Sequence, residues 1–241
     1  MQQYRIIEYQ EIDSTNSEAK RIASSNTPVS SILWAHKQSA GRGRYGRVWD
    51  SSVGNLYMSI LMPLECSVSC ASELSFVMGL ATYDVVNSLI NQPNHLSLKW
   101  PNDIFIDDNK IGGILLESIT HKNQTWIIIG LGLNLQSSPH DIKHTSSLKE
   151  YGINILPKDI LALIIDSFKK HHAIWRANSF THIRKSWLEK AYRLGQEITL
   201  GYDTHRVSGV FESIDQSGAI KLRLKSGEVK TMYTGEIFCI D

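Results

Sequence analysis

The sequence has no long apolar run and almost no net charge, and each shortage argues against a class of function. Its most apolar stretch, residues 127–135, is too short to span a bilayer, and no basic segment leads into a long apolar run near the amino terminus. The 25 basic and 24 acidic side chains give a net charge of +1, so no global field attracts nucleic acid or a membrane. We therefore expect a cytoplasmic protein without export signal or membrane contact.

Cysteine is also scarce. Cys66, Cys70 and Cys239 form an odd set without histidine or cysteine companions at metal-ligand spacing. Such usage is typical of reduced thiols that act as small packing residues. The sequence therefore predicts neither a disulfide framework nor a metal site, and we assign no metal ligand.

The apolar pattern predicts an α+β fold. Asp13, Ser14 and Thr15 are plausible N-cap residues of a first helix, and apolar spacing of three and four predicts further helices at residues 73–91, 157–175 and 179–192. Short alternating or apolar segments predict strands within residues 31–62 and 96–135, in a mixed or antiparallel sheet that the helices cover. About five short segments after Gln196 predict a small β-barrel. We expect the domain boundary near residue 193.

His171 and His172 are neighbours on a predicted helix, where adjacent side chains point apart. A metal pair is therefore not expected there. We expect both to be solvated helix residues.

The chemistry begins in the segment from Lys37 to Arg47, the glycine–arginine loop. It carries four basic side chains, three glycines and no acidic residue. Glycines let the backbone approach oxygens closely, and guanidinium groups offer forked donors to phosphate or carboxylate. The loop therefore predicts a polyanion site, and a merely solvated basic turn is the alternative interpretation of this segment.

Two further readings of this loop are open. Residues 41–46 match the GxGxxG dinucleotide pattern, but the segment from residue 55 to 62 alternates as a strand where that motif needs a helix. An arginine-rich nucleic-acid loop is disfavoured because the neutral chain has no second basic patch.

Two more segments combine charge with bare backbone. Residues 99–103 read Lys-Trp-Pro-Asn-Asp, and residues 110–115 place two adjacent glycines after a lysine. Paired glycines within a strand mark close backbone approach to a ligand, or a bulge. Residues 130–134 add small residues and an amide at the end of an apolar strand, which is a weak signal by itself.

Together and in this order, these segments resemble biotin protein ligases, whose pattern is an early Ser-Thr-Asn, a GRGRxGRxW loop, KWPND, KxGGIL and GxGxN. The chain matches every element, at residues 14–16, 41–49, 99–103, 110–115 and 130–134. The resemblance covers roughly the whole chain. It implies a catalytic domain of the biotin/lipoate ligase, class II synthetase-like fold over residues 1–193 and an SH3-like barrel over residues 194–241.

The resemblance also implies a role for individual residues. Those expected to hold biotin are Ser14, Thr15, Asn16, Gln38, Arg42, Gly43, Arg44, Lys110, Gly112, Gly113 and Ile114. Those expected to contact the nucleotide are Arg42, Arg44, Arg47, Trp49, Lys110 and Asn134. The implied catalytic residues are Lys110, Arg44, Asp103 and Lys99. Lys110 would hold the biotin carboxylate against the α-phosphate, and Asp103 would activate the acceptor lysine or support a metal.

The implied reaction uses ATP and biotin as substrates, with Mg²⁺, to form biotinyl-5′-AMP. Biotin then passes to a lysine of a biotin carboxyl carrier protein. The family's repressor members have an amino-terminal DNA-binding domain for which there is no room before Ser14, so no DNA partner is expected. We expect a monomer or homodimer. A lipoate or octanoate protein ligase and a non-enzymatic anion- or RNA-binding module are the alternatives.

Overall fold

The protein is described here by a computed structural model that covers residues 4–67, 70–90, 96–139, 141–202 and 205–238. Seven strands form one mixed sheet in the order β1-β2-β3-β7-β6-β5-β4. Their bounds are β1 Arg5–Tyr9, β2 Ser31–Ala35, β3 Leu56–Pro63, β4 Leu96–Lys99, β5 Asp103–Ile106, β6 Asn109–His121 and β7 Gln124–Leu133. β1 pairs with β2 in parallel, and the other neighbouring strands pair antiparallel. This confirms the predicted fold class, although β1 was not among the predicted strands.

Helices cover both faces of this sheet. They are α1 Thr15–Ala23, α2 Glu73–Leu89 and α3 Pro157–Leu188. α1 packs on one face with Ala19 and Ala23 against Leu33, Leu61 and Ile128. α2 lies on the other face, and α3 packs along α2. Because α3 covers the outer side of α2, Leu80 and Ala81 are fully buried there as well. The burial of β3 on both faces follows from the same layering.

The long helix α3 contains a break that the sequence predicted as a gap between two helices. Ser179 has φ 58° and ψ −169°, outside the helical region, so two helical segments meet there at a kink. The predicted helix that ends at residue 91 stops at Leu89 in the structure, and residue 91 lies outside the described residues.

The carboxy-terminal part is a second sheet, in the order β11-β10-β9-β8-β12. Its strands are β8 Glu197–Tyr202, β9 His205–Ile214, β10 Ile220–Arg223, β11 Val229–Met232 and β12 Glu236–Phe238. The predicted SH3-like closed barrel is not confirmed, because no pairing joins β11 to β12 within the described residues. The apolar core is continuous across both sheets and includes Phe211, Ile214 and Leu222.

Two expectations about single residues are wrong. Cys66 and Cys70 are joined in a disulfide rather than present as thiols, and Cys239 lies outside the described residues. His172 is not solvated: its ring stacks between Phe168 and Trp175, with centroids 5.5 and 5.4 Å away. Its neighbour His171 places Nε2 2.7 Å from a carboxylate oxygen of Asp84 on α2. His171 therefore faces α2, whereas the His172 ring is held by aromatic contacts within α3.

Candidate active site

A cleft of about 250 Å³ opens beside α1, between the mixed sheet and the glycine–arginine loop. It gathers segments that are far apart in the sequence, and all but one of the predicted site residues line it. These are Ser14, Thr15, Asn16, Gln38, Arg42, Gly43, Arg44, Arg47, Trp49, Lys99, Asp103, Lys110, Gly113, Ile114 and Asn134. Gly112 is the exception; a side chain there would meet Leu133 and the Gly132 carbonyl within the sheet.

The helix α1 begins at the cleft and brings a polar network with it. Ser14 is the N-cap and accepts a bond from the Ser17 amide, as its sequence position predicts. The Thr15 amide donates to Gln38 Oε1 at 2.8 Å. Ser59 Oγ on β3 lies 2.7 Å from Thr15 Oγ1 and 2.6 Å from Asn16 Oδ1. Side chains from three segments, the start of α1, Gln38 and Ser59 of β3, are thereby fixed in place before any ligand arrives.

The floor of the cleft is a furrow of bare backbone across β6 and β7. Gly113 pairs with Gly132, and Leu115 pairs with Gly130. Alternation along each strand puts these positions on one face. A Cβ at Gly132 would lie 2.5 Å from the Trp49 ring, and one at Gly113 would lie 3.2 Å from it. The indole can therefore lie this close to the strands only because both positions are glycine.

The glycine–arginine loop is fixed by partners from three other elements. Arg42 donates to Glu117 on β6 at 3.0 Å, and Arg44 donates to Asn102 at 3.0 Å. Arg47 pairs with Glu236 of β12 at 2.7 Å. The Tyr45 hydroxyl lies 2.9 Å from Thr234 Oγ1, so the carboxy-terminal sheet contacts the loop at two points.

Three charged side chains meet on the side of the cleft nearest β5. Lys110 Nζ lies 2.7 Å from Asp103 Oδ1, and 5.3 Å from the Trp49 ring centroid. Lys99 is almost fully buried, with Nζ 4.5 Å from the Phe105 ring centroid. An ammonium over an aromatic face is attracted by the negative face of the ring, and this contact keeps the positive charge of Lys99 beside the cleft. The arrangement concentrates cations where an anionic ligand would lie.

Asn134 is buried at the end of β7 and bridges to the segment that forms the next wall. Its Nδ2 donates to the Ser146 carbonyl at 3.1 Å, and its own amide donates to the Ile111 carbonyl at 2.8 Å. The amide of Lys110 donates to the His144 carbonyl at 2.8 Å. These bonds bring Pro139, Ile142 and Thr145 to the cleft, three lining residues that no motif predicted.

Sequence reasoning missed several residues that hold the predicted ones. Asn102 lies within a predicted motif but was given no role. Its Oδ1 accepts a hydrogen bond from Arg44, and its Nδ2 donates to the Ile114 carbonyl at 2.8 Å. Glu117 follows the motif of residues 110–115 by two positions, on the same face as Gly113 and Leu115. Ser59 and Glu236 carry no motif signal, and their contacts become visible only in the folded chain.

No helix in the described ranges is long and apolar enough to cross a membrane. Those ranges also contain no group of three or more histidine, cysteine or acidic side chains arranged to hold a metal.

The chain combines a mixed sheet that helices cover on both faces, a cationic cleft and an appended antiparallel sheet. This two-part architecture is that of a class of protein ligases. The sequence profile of the Biotin/lipoate A/B protein ligase family matches residues 8–134, and that of the Biotin protein ligase C terminal domain matches residues 194–239. The chain belongs to the Biotin/lipoate A/B protein ligase family, as its motifs predicted.

Within that family the chain is similar to biotin protein ligases. It is 34% identical to the biotin--[acetyl-CoA-carboxylase] ligase of Paracoccus denitrificans, over 94% of this chain and 97% of that protein. It is 30% identical to the bifunctional ligase/repressor BirA of Escherichia coli, over 94% of this chain and 71% of that protein. The biotin protein ligase from Aquifex aeolicus in complex with biotin and ATP has a similar structure, with a TM-score of 0.81 at 27% identity over 97% of both chains.

Proposed function

We propose that the chain is an ATP-dependent biotin protein ligase. It forms biotinyl-5′-AMP from biotin and ATP, and then transfers biotin to a lysine of a biotin carboxyl carrier protein. One observation carries this proposal: residues from all five motif segments line a single cleft. The similarity to a ligase solved with biotin and ATP supports the same substrates. The catalytic part would comprise residues 1–193, with residues 194–241 as the smaller domain.

In the first half-reaction, the biotin carboxylate attacks the α-phosphate and pyrophosphate leaves. Two anions must approach each other, and fixed cations offset the repulsion. Lys110 is suited to this role because its ammonium lies in the cleft and needs only to exchange Asp103 for the ligand carboxylate or phosphate. Arg44 would exchange Asn102 for ligand oxygens in the same way, and Arg42, which contacts Glu117 through Nη2, has further N–H donors for the ligand.

At the biotin end, Ser14, Thr15, Asn16 and Gln38 would supply donors and acceptors for the ureido ring. Their mutual bonds keep them oriented in advance, which lowers the ordering cost of binding. At the other end, Trp49 and Asn134 would contact the adenine. The buried indole N–H of Trp49 has no hydrogen-bond partner among the described residues, so it is a donor that a ligand in that corner can use.

In the second half-reaction, the acceptor lysine loses a proton, attacks the mixed anhydride and expels AMP. A base must therefore lie near the acyl carbon. Asp103 is the carboxylate suited to this step, because it lines the cleft and becomes available when Lys110 turns to the ligand. Lys99 would support the same region electrostatically.

Mg²⁺ is expected to arrive with ATP rather than to reside in the protein. Mg²⁺ in nucleotide sites is held mainly by phosphates, water and one or two carboxylates. Asp103 fits the requirement for one such carboxylate, since its Oδ1 is buried in the cleft wall. Mg²⁺ would offset phosphate charge in the first half-reaction. We also propose a cytoplasmic location, where ATP and carrier proteins are available.

The proposal is tested by measuring pyrophosphate release from ATP with biotin, and separately with lipoate, before and after a biotin carrier domain is added. Biotin-dependent release followed by labelling of the carrier lysine is expected. Lipoate-dependent release would instead assign the chain to the lipoate branch of the family. Release with neither substrate would favour a binding module.

A matched pair of variants assigns the chemistry to the cleft. Lys110→Met is expected to lower the rate of biotin-dependent pyrophosphate release by about 10²-fold or more, the loss typical when one donor to a developing charge is removed. Lys225→Met is the control, because that lysine side chain is 87% exposed on the carboxy-terminal sheet. Equal rates for the two variants would contradict the role of Lys110.

A further inference from the structure

Glu117 contacts three cleft-side groups without lining the cleft itself. It lies on β6, with its side chain 18% exposed. Its Oε1 accepts a bond from Lys20 Nζ at 2.6 Å, and its Oε2 accepts from Asn16 Nδ2 at 2.9 Å and Arg42 Nη2 at 3.0 Å. One carboxylate therefore joins α1, β6 and the glycine–arginine loop.

The shorter of two bonds that orient the Asn16 amide goes to Glu117; Nδ2 also donates to the Leu115 carbonyl, at 3.4 Å. Asn16 Oδ1 faces the Ser59 hydroxyl and its Nδ2 faces Glu117, so the two ends of the amide have different partners. Asn16 is buried and packed against Gly130, where a side chain would collide with it. An ionised carboxylate at position 117 can only accept and therefore faces Nδ2, whereas a glutamine there could also donate, which would permit an inverted Asn16 amide of opposite polarity towards a ligand.

The contact with Arg42 decides where the loop lies. Arg42 extends across the furrow to Glu117, and this ion pair connects two positions 75 residues apart in the sequence. Burial raises the pKa of Glu117, but hydrogen bonds from Lys20 and Asn16 and the charge of Arg42 outweigh it, so the pKa is lowered overall. The carboxylate is therefore ionised at neutral pH and balances two cations.

We propose that Glu117 is a positioning residue that couples the biotin end of the cleft to the glycine–arginine loop. It orients the Asn16 amide for the ligand and holds Arg42 over the same ligand. This inference rests on the proposed function, because biotin is the ligand at that end. A purely structural ion pair would stabilise the fold without favouring one substrate over another, and that difference can be measured.

The experiment measures the biotin dissociation constant without ATP, the KM for ATP, and thermal unfolding for Glu117→Gln. Glutamine keeps the size of the side chain but removes its charge, which weakens the charge-assisted bonds. Biotin affinity is expected to fall about tenfold or more, and the KM for ATP is expected to rise by a smaller factor, because Asn16 and Arg42 both serve the biotin end whereas only Arg42 also serves the nucleotide. Glu212→Gln is the control, since Glu212 is exposed on the carboxy-terminal sheet and pairs with Arg223.

Glu117→Asp provides a second variant for the same biotin-binding measurement if the glutamine variant fails to fold. It retains the charge but shortens the side chain, so biotin affinity should lie between those of the parent and Glu117→Gln. The Arg42→Met variant combined with Glu117→Gln should lose less affinity than the two single losses multiplied together, because both disrupt one contact.

The outcomes separate the two proposals. A parent protein that does not bind biotin overturns the proposed function and this inference together. A parent that binds biotin, with a Glu117→Gln variant within about twofold of it, overturns this inference alone. Equal losses of biotin and ATP affinity that track a lower unfolding temperature would identify a structural ion pair instead.

Discussion

Replacing Gly132 with alanine adds one methyl group to the floor of the cleft. The new Cβ would lie 2.5 Å from Trp49 Cε2 and 2.6 Å from its Nε1. Gly132 belongs to a strand paired on both sides, to β3 and β6, so it cannot retreat. Trp49 belongs to a loop and is the group that must move.

The size of the effect follows from those distances. The ring must withdraw by about 0.9 Å to restore the 3.4 Å at which ordinary contact begins. A displacement of about 1 Å in a positioning group can lower the rate about 10²-fold. We therefore expect kcat/KM for ATP in biotin-dependent pyrophosphate release to fall by about two orders of magnitude, with thermal unfolding shifted by only a few degrees.

Gly79→Ala is the matched control for this assay. Gly79 lies within α2, where a Cβ would be 3.6 Å from Leu98, an ordinary contact distance. Its kcat/KM should equal that of the parent. A Gly132→Ala enzyme whose kcat/KM for ATP stays within about threefold of the parent would refute the reasoning, because the indole would then not need its present position.

Two further predictions concern the periphery of the site and the helix pair. Glu236→Gln removes the ion pair with Arg47, so amide hydrogen exchange in residues 44–48 should accelerate. Thermal stability should change little, because exposed ion pairs contribute only about 0–1 kcal/mol. Unchanged exchange would show that the carboxy-terminal sheet does not hold the loop. Burial, aided by the charge of Arg176, lowers the pKa of His172 below its ordinary 6.5, so the unfolded chain binds a proton before the folded one does as pH falls. The free energy of unfolding should therefore decrease as pH falls below 6.5 towards the folded pKa, and denaturant titrations should give a shallower decrease for His172→Gln. Parallel pH profiles for the variant and the parent would contradict this assignment.

Local patterns predicted the elements well where one physical cause dominates. A first helix was predicted behind Asp13, Ser14 and Thr15, and Ser14 is the one of the three whose side chain caps α1. The interruption near residue 179 was also predicted from the pattern. β1 was missed because it is short, lies at the sheet edge and leaves Ile6 61% exposed, so it lacks clear alternation.

The candidate site was predictable as a set of motif segments but not as a network. Residues 99–103 and the glycine–arginine loop each contain chemistry that a sequence can display. The partner of Arg47 is 189 residues away, and nothing in the sequence near Glu236 indicates that contact. The stacking of His172 was in principle visible, because Phe168 and Trp175 lie four and three residues from it on one helix face.

The bare furrow across β6 and β7 limits how the site can be altered. At Gly113, Gly130 and Gly132 every substitution adds atoms to space already filled by Trp49 or Asn16. Selectivity for the bound molecule is therefore set by the side chains laid over the strands and not by the strands. Libraries that seek activity on biotin analogues with a larger or smaller ring should vary the α1 terminus and the overlying loop, and should leave the three glycines unchanged.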